Sequence, residues 1–400
     1  MMDLAFYDLK LYKGRFIATI IGVGLLFTIV LAMNGLYRGN IYEGLAVIKA
    51  TNPDLWVVER HRGGPFNEQS TLAEDYHHSI KAIPGVEKAC PFIYYTVERR
   101  IGDQSRHFSI IGYDVFTGLG GPQRIVAGRG LRQAHYEMVA DKKLGVDLGD
   151  KVTLGLHTYT VVGLAQGAID TNGDPLVFLS LPDAQEIAYQ KDNEEVRTQR
   201  ERLARTLNLQ KSLTPAATAS LSEALAPDTH IINAVLVHLK PGADKAVVAD
   251  NIKNWLYLSV YTTEQEIELM LKGRLAGMTK QLLLFRTLLL IVSVVIIALV
   301  IYTFTMEKIR SIAVMKLIGA PNQVIIRLVL EQSLLLTISA FAFALLLINQ
   351  TYPYFPKTIL LVPSDELITF IVVLFGGILA SILGLTQALR TQPAMALGGQ

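Results

Sequence analysis

Four long apolar stretches constrain this chain more than any other feature of its sequence. Their bounds are residues 16–33, 287–305, 324–348 and 367–389. Each is close to the roughly 20 residues that a helix needs to cross a bilayer. Only 18% of the 400 residues are charged, whereas soluble domains average about a quarter. We therefore predict an α-helical membrane protein.

The stretches divide the chain into one helix, a large polar region and three further helices. The polar region alternates short β-like runs with helical ones, which predicts a large α+β extracytoplasmic domain. The predicted segments are an amphipathic N-terminus (1–15), transmembrane helix one (16–36), the extracytoplasmic domain (37–278), helix two (279–305), a cytoplasmic loop (306–323), helix three (324–349), an external loop (350–366), helix four (367–389) and a cytoplasmic tail (390–400).

The orientation follows from the basic residues of the short segments, which remain on the cytoplasmic side. These residues are Lys10, Lys13, Arg15, Lys308, Arg310, Lys316 and Arg390. Both termini are therefore predicted inside and the large domain outside. The first stretch is either an uncleaved anchor or a signal peptide; its length and the lack of a small-x-small cleavage site favour the anchor. Residues 1–15 are either a surface helix in contact with lipid or a frayed end.

Within the external domain, the segments DLWVVE, PFIYYTVE and HFSIIGYDV are predicted strands, and TLAEDYHHSIKAIPGV is a predicted helix. Residues 137–180 are predicted to be mostly β, and INAVLVHLK, residues 244–255 and LSVYTT form a βαβ-like unit. A helical insertion is predicted over about 183–226. Its charged run, residues 185–213, is either a solvated helix face or a docking surface.

Several kinds of chemistry are excluded or disfavoured. The 37 basic and 35 acidic residues nearly balance, so nothing favours nucleic-acid binding. Adjacent His77 and His78 cannot share a helix face, and no metal-ligand spacing accompanies them. The Asp170, Asn172 and Asp174 triplet predicts a β-turn rather than a calcium loop. No Gly-Lys dipeptide exists, which excludes a P-loop, and no catalytic motif is present, so we predict neither an enzyme nor a cofactor in this chain.

Small residues recur at four-residue spacing in two of the predicted helices. Such faces permit close helix packing, within one copy or between two, although lipid-facing small residues are the alternative. They are Ala18 and Gly22 in helix one and Gly376, Ala380 and Gly384 in helix four. Arg327 and Glu331, near the cytoplasmic end of helix three, are spaced to form an ion pair.

The loop between helices two and three is the most informative segment, and it reads EKIRSIAVMKLIGAPNQVI. A short helix over residues 311–318 is predicted to end at Gly319. Ile312, Met315 and Ile318 recur every three residues and form an apolar stripe. The loop is either a helix that receives a force from a soluble partner or a plain connector.

This loop closely resembles the cytoplasmic loop of FtsX/MacB-like permeases. The tail RTQPAMAL and the stretch MVADKKLGVDLGDKVTLGLHTYTVVGL resemble two further segments of that family. The one-plus-three topology is also the family's architecture. Within the family, the chain is similar in type to the four-helix haem-exporter and DevC-like permeases.

The resemblance implies a homodimer that works with two cytoplasmic ATPase subunits, which bind the ATP and Mg. It also implies a bacterial inner-membrane location and, where the host has two membranes, an HlyD-like periplasmic adaptor and an outer-membrane duct. The implied ATPase-coupling residues are Glu307, Lys308, Arg310, Ile312, Met315, Lys316, Ile318 and Gly319.

The implied activity is export of a hydrophobic or amphipathic substrate by mechanotransmission. The alternative is an FtsX-like signalling or scaffold protein that regulates an extracytoplasmic partner without transport. The cytoplasmic loop is common to both. A neighbouring gene for an adaptor would favour export, and one for a hydrolase would favour regulation.

Overall fold

The computed structural model describes residues 13–101, 104–155, 157–188, 230–307, 309–355 and 357–390, together with residues 198 and 202; at 380 and 383–390 it describes the backbone alone. Residues 1–12 of the predicted N-terminal segment, most of the charged run 185–213 and the tail after 390 lie outside these residues. The chain divides into two compact units. One is Met1–Ile41 with Gly277–Gln400, and the other is Tyr42–Ala276.

The strands all lie in the second unit, among the described residues. In chain order they are β1 (Leu55–Val58), β2 (Leu72–Ala73), β3 (Val86–Ile101), β4 (Gln104–Tyr113), β5 (Ile125–Gly128), β6 (Glu137–Asp141), β7 (Lys151–Leu154), β8 (His157–Ala165), β9 (Leu176–Ser180), β10 (Ile231–Ile232), β11 (Ala234–Leu239) and β12 (Ser259–Thr262).

The described helices include long apolar ones, short ones of the second unit and a short one of the first unit. They are α1 (Lys13–Thr51), α2 (Tyr76–Lys81), α3 (Leu181–Ala188), α4 (Lys245–Leu256), α5 (Thr263–Lys272), α6 (Ala276–Glu307), α7 (Ile309–Leu317), α8 (Asn322–Thr351) and α9 (Pro363–Arg390). Short 3₁₀ turns follow β6 at Lys142–Leu144 and α8 at Tyr352–Tyr354.

A ten-stranded mixed sheet organises the second unit, in the order β12-β1-β11-β3-β4-β9-β6-β8-β5, with β7 also paired to β8. Most neighbours are antiparallel, but β4 pairs with β9 and β6 with β8 in parallel. All four residues of β1 are buried, since this strand lies between β12 and β11. The sheet's apolar core includes Leu55, Ile93, Phe108 and Val177, and the unit has the predicted α+β character.

The predicted strands are confirmed in β1, β3 and β4, and the βαβ-like unit in β11, α4 and β12. Strand β1 lies between β11 and β12 and is antiparallel to both. Strands β11 and β12 are therefore parallel to each other but are not hydrogen-bonded neighbours in the sheet. The helix predicted from residue 71 to its end at Pro84 and Gly85 is too long. The structure has helix only at Tyr76–Lys81, because Leu72 and Ala73 pair with β10 as a strand.

In the first unit, a second apolar core joins the helices. It includes Phe27, Leu31, Ile297, Ile325 and Phe341. Three helical segments among the described residues are long and apolar enough to cross a membrane, namely Lys13–Thr51, Ala276–Glu307 and Asn322–Tyr354. Their other faces leave large aliphatic side chains exposed, as expected of surfaces that contact lipid.

Helix α1 does not end at residue 36, where the apolar stretch gives way to polar sequence. It continues to Thr51, and Leu45, Val47 and Ile48 are buried in this extension.

The β-turn predicted at Asp170 is confirmed. Its carboxylate accepts hydrogen bonds from the backbone N–H groups of Asn172 (2.7 Å) and Asp174 (2.9 Å).

Candidate functional site

Helix α7 lies between the long helices α6 and α8 in the chain, where the sequence predicted a short helix. Residue 308, between α6 and α7, lies outside the described residues. The described residues of α7 run from Ile309 to Leu317. Gly319 adopts a φ of 93°, a conformation that favours glycine. The N–H of Ala320 donates to the carbonyl of Met315 at 2.9 Å, which closes the end of the helix. Pro321 then adopts an extended conformation and precedes α8.

One face of α7 is buried in the helical core of its own chain. Ile312 is 2% exposed and Ala313 is 5% exposed. Ile312 belongs to the same apolar core as Phe27 and Ile301, and Met315 packs against that core while half-buried. Ile312 therefore anchors α7 to the bundle, and Met315 contacts the same core with part of its side chain exposed.

The opposite face of α7 is both apolar and exposed. Val314 is 43% exposed, Leu317 is 62% exposed and Ile318, just beyond the helix, is 82% exposed. The sequence prediction did not include Val314 and Leu317, because it was based on the three-residue spacing of Ile312, Met315 and Ile318. Their spacing of i, i+3 and i+4 is the usual sign of one helix face and would have identified them. We call Val314, Leu317 and Ile318 the exposed apolar face.

The charged residues predicted for coupling are distributed unevenly. Glu307 forms an ion pair with Arg15 of α1, and the Arg15 guanidinium lies 6.0 Å from the centre of the Phe304 ring. Arg310 and Gly319 are exposed and Lys316 is half-buried. Lys308 lies outside the described residues. Glu307 thus contacts its own chain, while Arg310 faces outward beside the exposed apolar face.

The small residues predicted for helix packing have different surroundings. Gly376 packs on α6, since a Cβ built there would lie 2.7 Å from a methyl group of Val294. Ala18 and Gly22 are exposed, and a Cβ on Gly22 would meet no described atom within 4 Å. The surroundings of Ala380 and Gly384 lie outside the described side chains.

Sequence reasoning missed the glycines of α1 at which the chain packs most tightly. A Cβ on Gly35 would lie 2.3 Å from the Ile359 side chain, and one on Gly39 would lie 1.6 Å from the carbonyl oxygen of Thr358. The N–H of Leu360 also donates to the Gly35 carbonyl at 3.1 Å. The four-residue spacing of the two glycines is a signal that the sequence does contain.

Polar contacts join α1 to α9 near the same end of the bundle. The Arg38 guanidinium donates to both oxygens of Asp365, at 2.6 and 2.9 Å. The Asn34 amide donates to the Thr369 hydroxyl at 2.8 Å. Within α8, the Arg327 guanidinium donates to the Glu331 carboxylate at 2.7 Å, which confirms the predicted ion pair.

The second unit also contains the adjacent histidines His77 and His78 and the chain's single cysteine, Cys90. The rings of His77 and His78 are tilted by 40° to each other with centres 3.8 Å apart, and His77 Nδ1 lies 2.5 Å from the carbonyl oxygen of Glu74. No group of potential metal ligands occurs among the described residues. Cys90 is buried, and burial raises the pKa of its thiol.

Comparison with known families decides the assignment. Residues 16–255 match the MacB-like periplasmic core domain, and residues 283–393 match the FtsX-like permease C-terminal domain. The chain belongs to the MacB/FtsX-like ABC transporter permease family. Proteins named ABC transporter permeases are not themselves enzymes, and the family in general works with an ATPase partner and as a dimer.

Relatives of this permease match it from end to end. An ABC transporter permease of Mycobacterium tuberculosis strain H37Rv is 24% identical over 100% of both chains. A protein of Staphylococcus haemolyticus named as hemin transport system permease protein HrtB is 22% identical over 100% of this chain and 99% of its own.

Solved structures resemble part of the permease. The periplasmic region of MacB from Actinobacillus actinomycetemcomitans is 12% identical, covers 56% of this chain and 94% of its own, and has a TM-score of 0.34. The extracellular domain of the ABC-type transporter YknZ from Gram-positive bacteria is 10% identical, covers 53% and 100%, and has a TM-score of 0.35. Because both TM-scores are low, the family assignment rests on the sequence matches and not on these structures.

Proposed function

We propose that this permease transmits the motion of a cytoplasmic ATPase to its extracytoplasmic domain and thereby exports a hydrophobic or amphipathic substrate. The proposed assembly contains two copies of the chain, each with four spanning helices including α9, and two ATPase subunits that bind ATP and Mg. It lies in the bacterial inner membrane with the α+β unit outside. An HlyD-like adaptor and an outer-membrane duct complete it where a second membrane exists.

The observation that supports this proposal best is the contrast between the two faces of α7. Ile312 fixes the helix to the bundle core, whereas Leu317 and Ile318 are apolar and exposed. A short helix that is buried on one side transfers a displacement to the helices on which it packs. An exposed apolar face next to a charged residue such as Arg310 is suited to bind a groove in a soluble protein.

Substitutions on the two faces of α7 test the proposal. We expect Ile318→Asp and Leu317→Asp to weaken ATPase binding by more than about 2 kcal/mol, because they place a charge in an apolar contact. Arg310→Ala should cost less, since exposed charges at an interface rim contribute little. Recovery of the partner ATPase on co-purification with the permease, together with its stimulated ATP hydrolysis, measures the effect.

Ile312→Asp is the matched variant on the buried face. It should lower the thermal stability of the permease in detergent, whereas Ile318→Asp, at an 82% exposed position, should not. Equal recovery of the ATPase with wild type, Leu317→Asp and Ile318→Asp, with stimulation retained, would show that α7 is only a connector.

A further inference from the structure

An open groove follows the outer edge of the ten-stranded sheet in the second unit. Its volume is about 840 Å³. Strand β12 forms its floor, and the C-terminal end of α4, one side of α5 and the segment at residues 60–61 form its walls. This groove is remote in sequence from α7 and takes no part in the proposed coupling.

The floor of the groove is a sheet edge. Strand β12 is the terminal strand of the sheet and pairs with β1 from Ser259–Val58 to Thr262–Leu55. Within the described residues, no strand pairs with its other side. In an antiparallel ladder, alternate residues direct their N–H and C=O groups away from the partner strand. An edge of this kind can bind an extended segment through main-chain hydrogen bonds.

The walls of the groove are held in place by specific contacts. The N–H of His61 donates to the Ser259 hydroxyl at 3.0 Å, and the Tyr261 hydroxyl donates to the carbonyl of Arg62 at 2.7 Å. The Arg60 guanidinium lies 5.7 Å from the centre of the Tyr257 ring. His61 and Tyr257 both have positive φ angles, of 63° and 54°. At Tyr257 this left-handed conformation is that of the C-cap that ends α4.

The charge and polarity of the groove indicate the chemistry of its occupant. Arg60, Lys253 and Lys272 bring three cations to the lining. Glu268 of the lining pairs with Lys272, and Asp250 lies 3.8 Å from the Lys253 ammonium at the exposed surface of α4. The ring of Tyr257 is 66% exposed. An extended segment with acidic side chains on one face and apolar ones on the other complements this surface.

We propose that the groove binds an acidic, extended segment of a partner protein, which adds to β12 as a further strand. Main-chain hydrogen bonds to β12 supply the pairing, and Arg60 and Lys253 select for acidic side chains. The proposal concerns a protein partner of the α+β unit and does not depend on ATPase coupling, so either proposal can fail alone.

Peptide binding to the full-length permease in detergent tests this assignment. The probe is a fluorescent peptide of about ten residues that alternates Glu and Val, a length typical of a strand. We expect it to bind, and its affinity, measured by fluorescence anisotropy, to fall at least about tenfold in the Arg60→Glu/Lys253→Glu variant. The matched variant Lys142→Glu/Lys151→Glu has the same net charge at exposed sites elsewhere in the unit and should change the affinity less than about twofold.

Two further peptides separate strand addition from simple charge attraction. A Glu-Val peptide with every backbone nitrogen methylated keeps its charge but has no main-chain donors, and it should not bind measurably. A Lys-Val peptide should also fail. Binding of the methylated peptide with unchanged affinity, equal losses in the two double variants, or no binding of the Glu-Val peptide would each overturn the proposal.

Discussion

At the scale of single residues, Glu266 of α5 is unusual because it is a fully buried carboxyl. Its exposed fraction is 0%, and neither oxygen has a hydrogen-bond partner among the described residues. It lies against Gly64, where a Cβ would come within 2.1 Å of its carboxylate. Burial raises the pKa of this group from 4.5 to about 8.

This pKa predicts how stability depends on pH. Between about pH 4.5 and 8, the folded chain keeps the Glu266 proton and the unfolded chain loses it, so the free energy of unfolding falls as pH rises. Glu266→Gln removes this dependence because the amide does not ionise. We expect the variant to be more stable than wild type by more than about 1 kcal/mol at pH 8, and to gain less at pH 5.

Thermal unfolding of the full-length protein in detergent, measured at both pH values, checks this prediction. Glu87→Gln is the control, because Glu87 is an exposed carboxyl of the same unit. A Glu266→Gln variant with the same pH dependence as wild type would show that the carboxyl is ionised in the folded state.

The contact at Gly39 yields a second prediction for a single residue. Because a Cβ there would lie 1.6 Å from the Thr358 carbonyl oxygen, Gly39→Ala must displace the backbone of the segment that follows α8. We expect a loss of about 1–3 kcal/mol in stability. Gly22→Ala in the same helix should have little effect, since its surroundings are open. Equal melting temperatures for the two variants in detergent would contradict the packing described here.

At the scale of elements, the Arg38–Asp365 pair connects α1 to α9. The Asp365 side chain is 8% exposed and that of Arg38 is 45% exposed. Arg38→Ala leaves a buried carboxylate without its cation, so it should destabilise more than Asp365→Asn does. A double-mutant cycle of these two variants should give a coupling energy of at least about 0.5 kcal/mol. Additive losses of stability in detergent would mean that the pair contributes nothing.

The sequence predicted some elements well because their signal is local. Long apolar runs identified α1, α6 and α8, and Gly319 identified the end of α7. The prediction was wrong where pairing with a segment that is distant in the chain decides the structure. Leu72 and Ala73 form a strand only because β10 pairs with them, and a two-residue strand has no periodicity of its own.

The candidate site shows the same limit. The sequence identified α7 as an apolar helix, yet it could not specify which apolar side chains its own bundle covers. Ile312 is covered by the core that includes Phe27 and Ile301, and this depends on packing between helices that are far apart in the chain. The extension of α1 to Thr51 likewise depends on the burial of its apolar residues by tertiary contacts.

At the scale of the whole molecule, the exposed small face of α1 is where we expect the two copies of the proposed dimer to meet. Ala18 and Gly22 are exposed, and Gly22 has no described atom close to its side-chain position. We propose that this face packs on its counterpart in the second copy. In a Cys90→Ser background, Gly22→Cys should form a disulfide-linked dimer in membranes, since close helices bring Cα atoms within about 7 Å.

Leu299→Cys is the control for this cross-linking. Leu299 is 65% exposed on α6 and carries a large aliphatic side chain, as a lipid-facing position does. Cross-linking at Leu299 but not at Gly22, resolved by non-reducing gel electrophoresis, would assign the dimer contact to a different helix.

The unbroken length of α1 has a mechanical consequence. Its 39 residues correspond to about 58 Å at 1.5 Å per residue, roughly twice the 30 Å hydrocarbon thickness of a bilayer. Lys13–Thr51 contains no proline at which it would kink. A rod of this kind amplifies rotation into displacement, since a tilt of about 10° about one end moves the other by about 10 Å. A rigid helix of this length therefore converts a small angular change into a displacement of several ångströms at its far end.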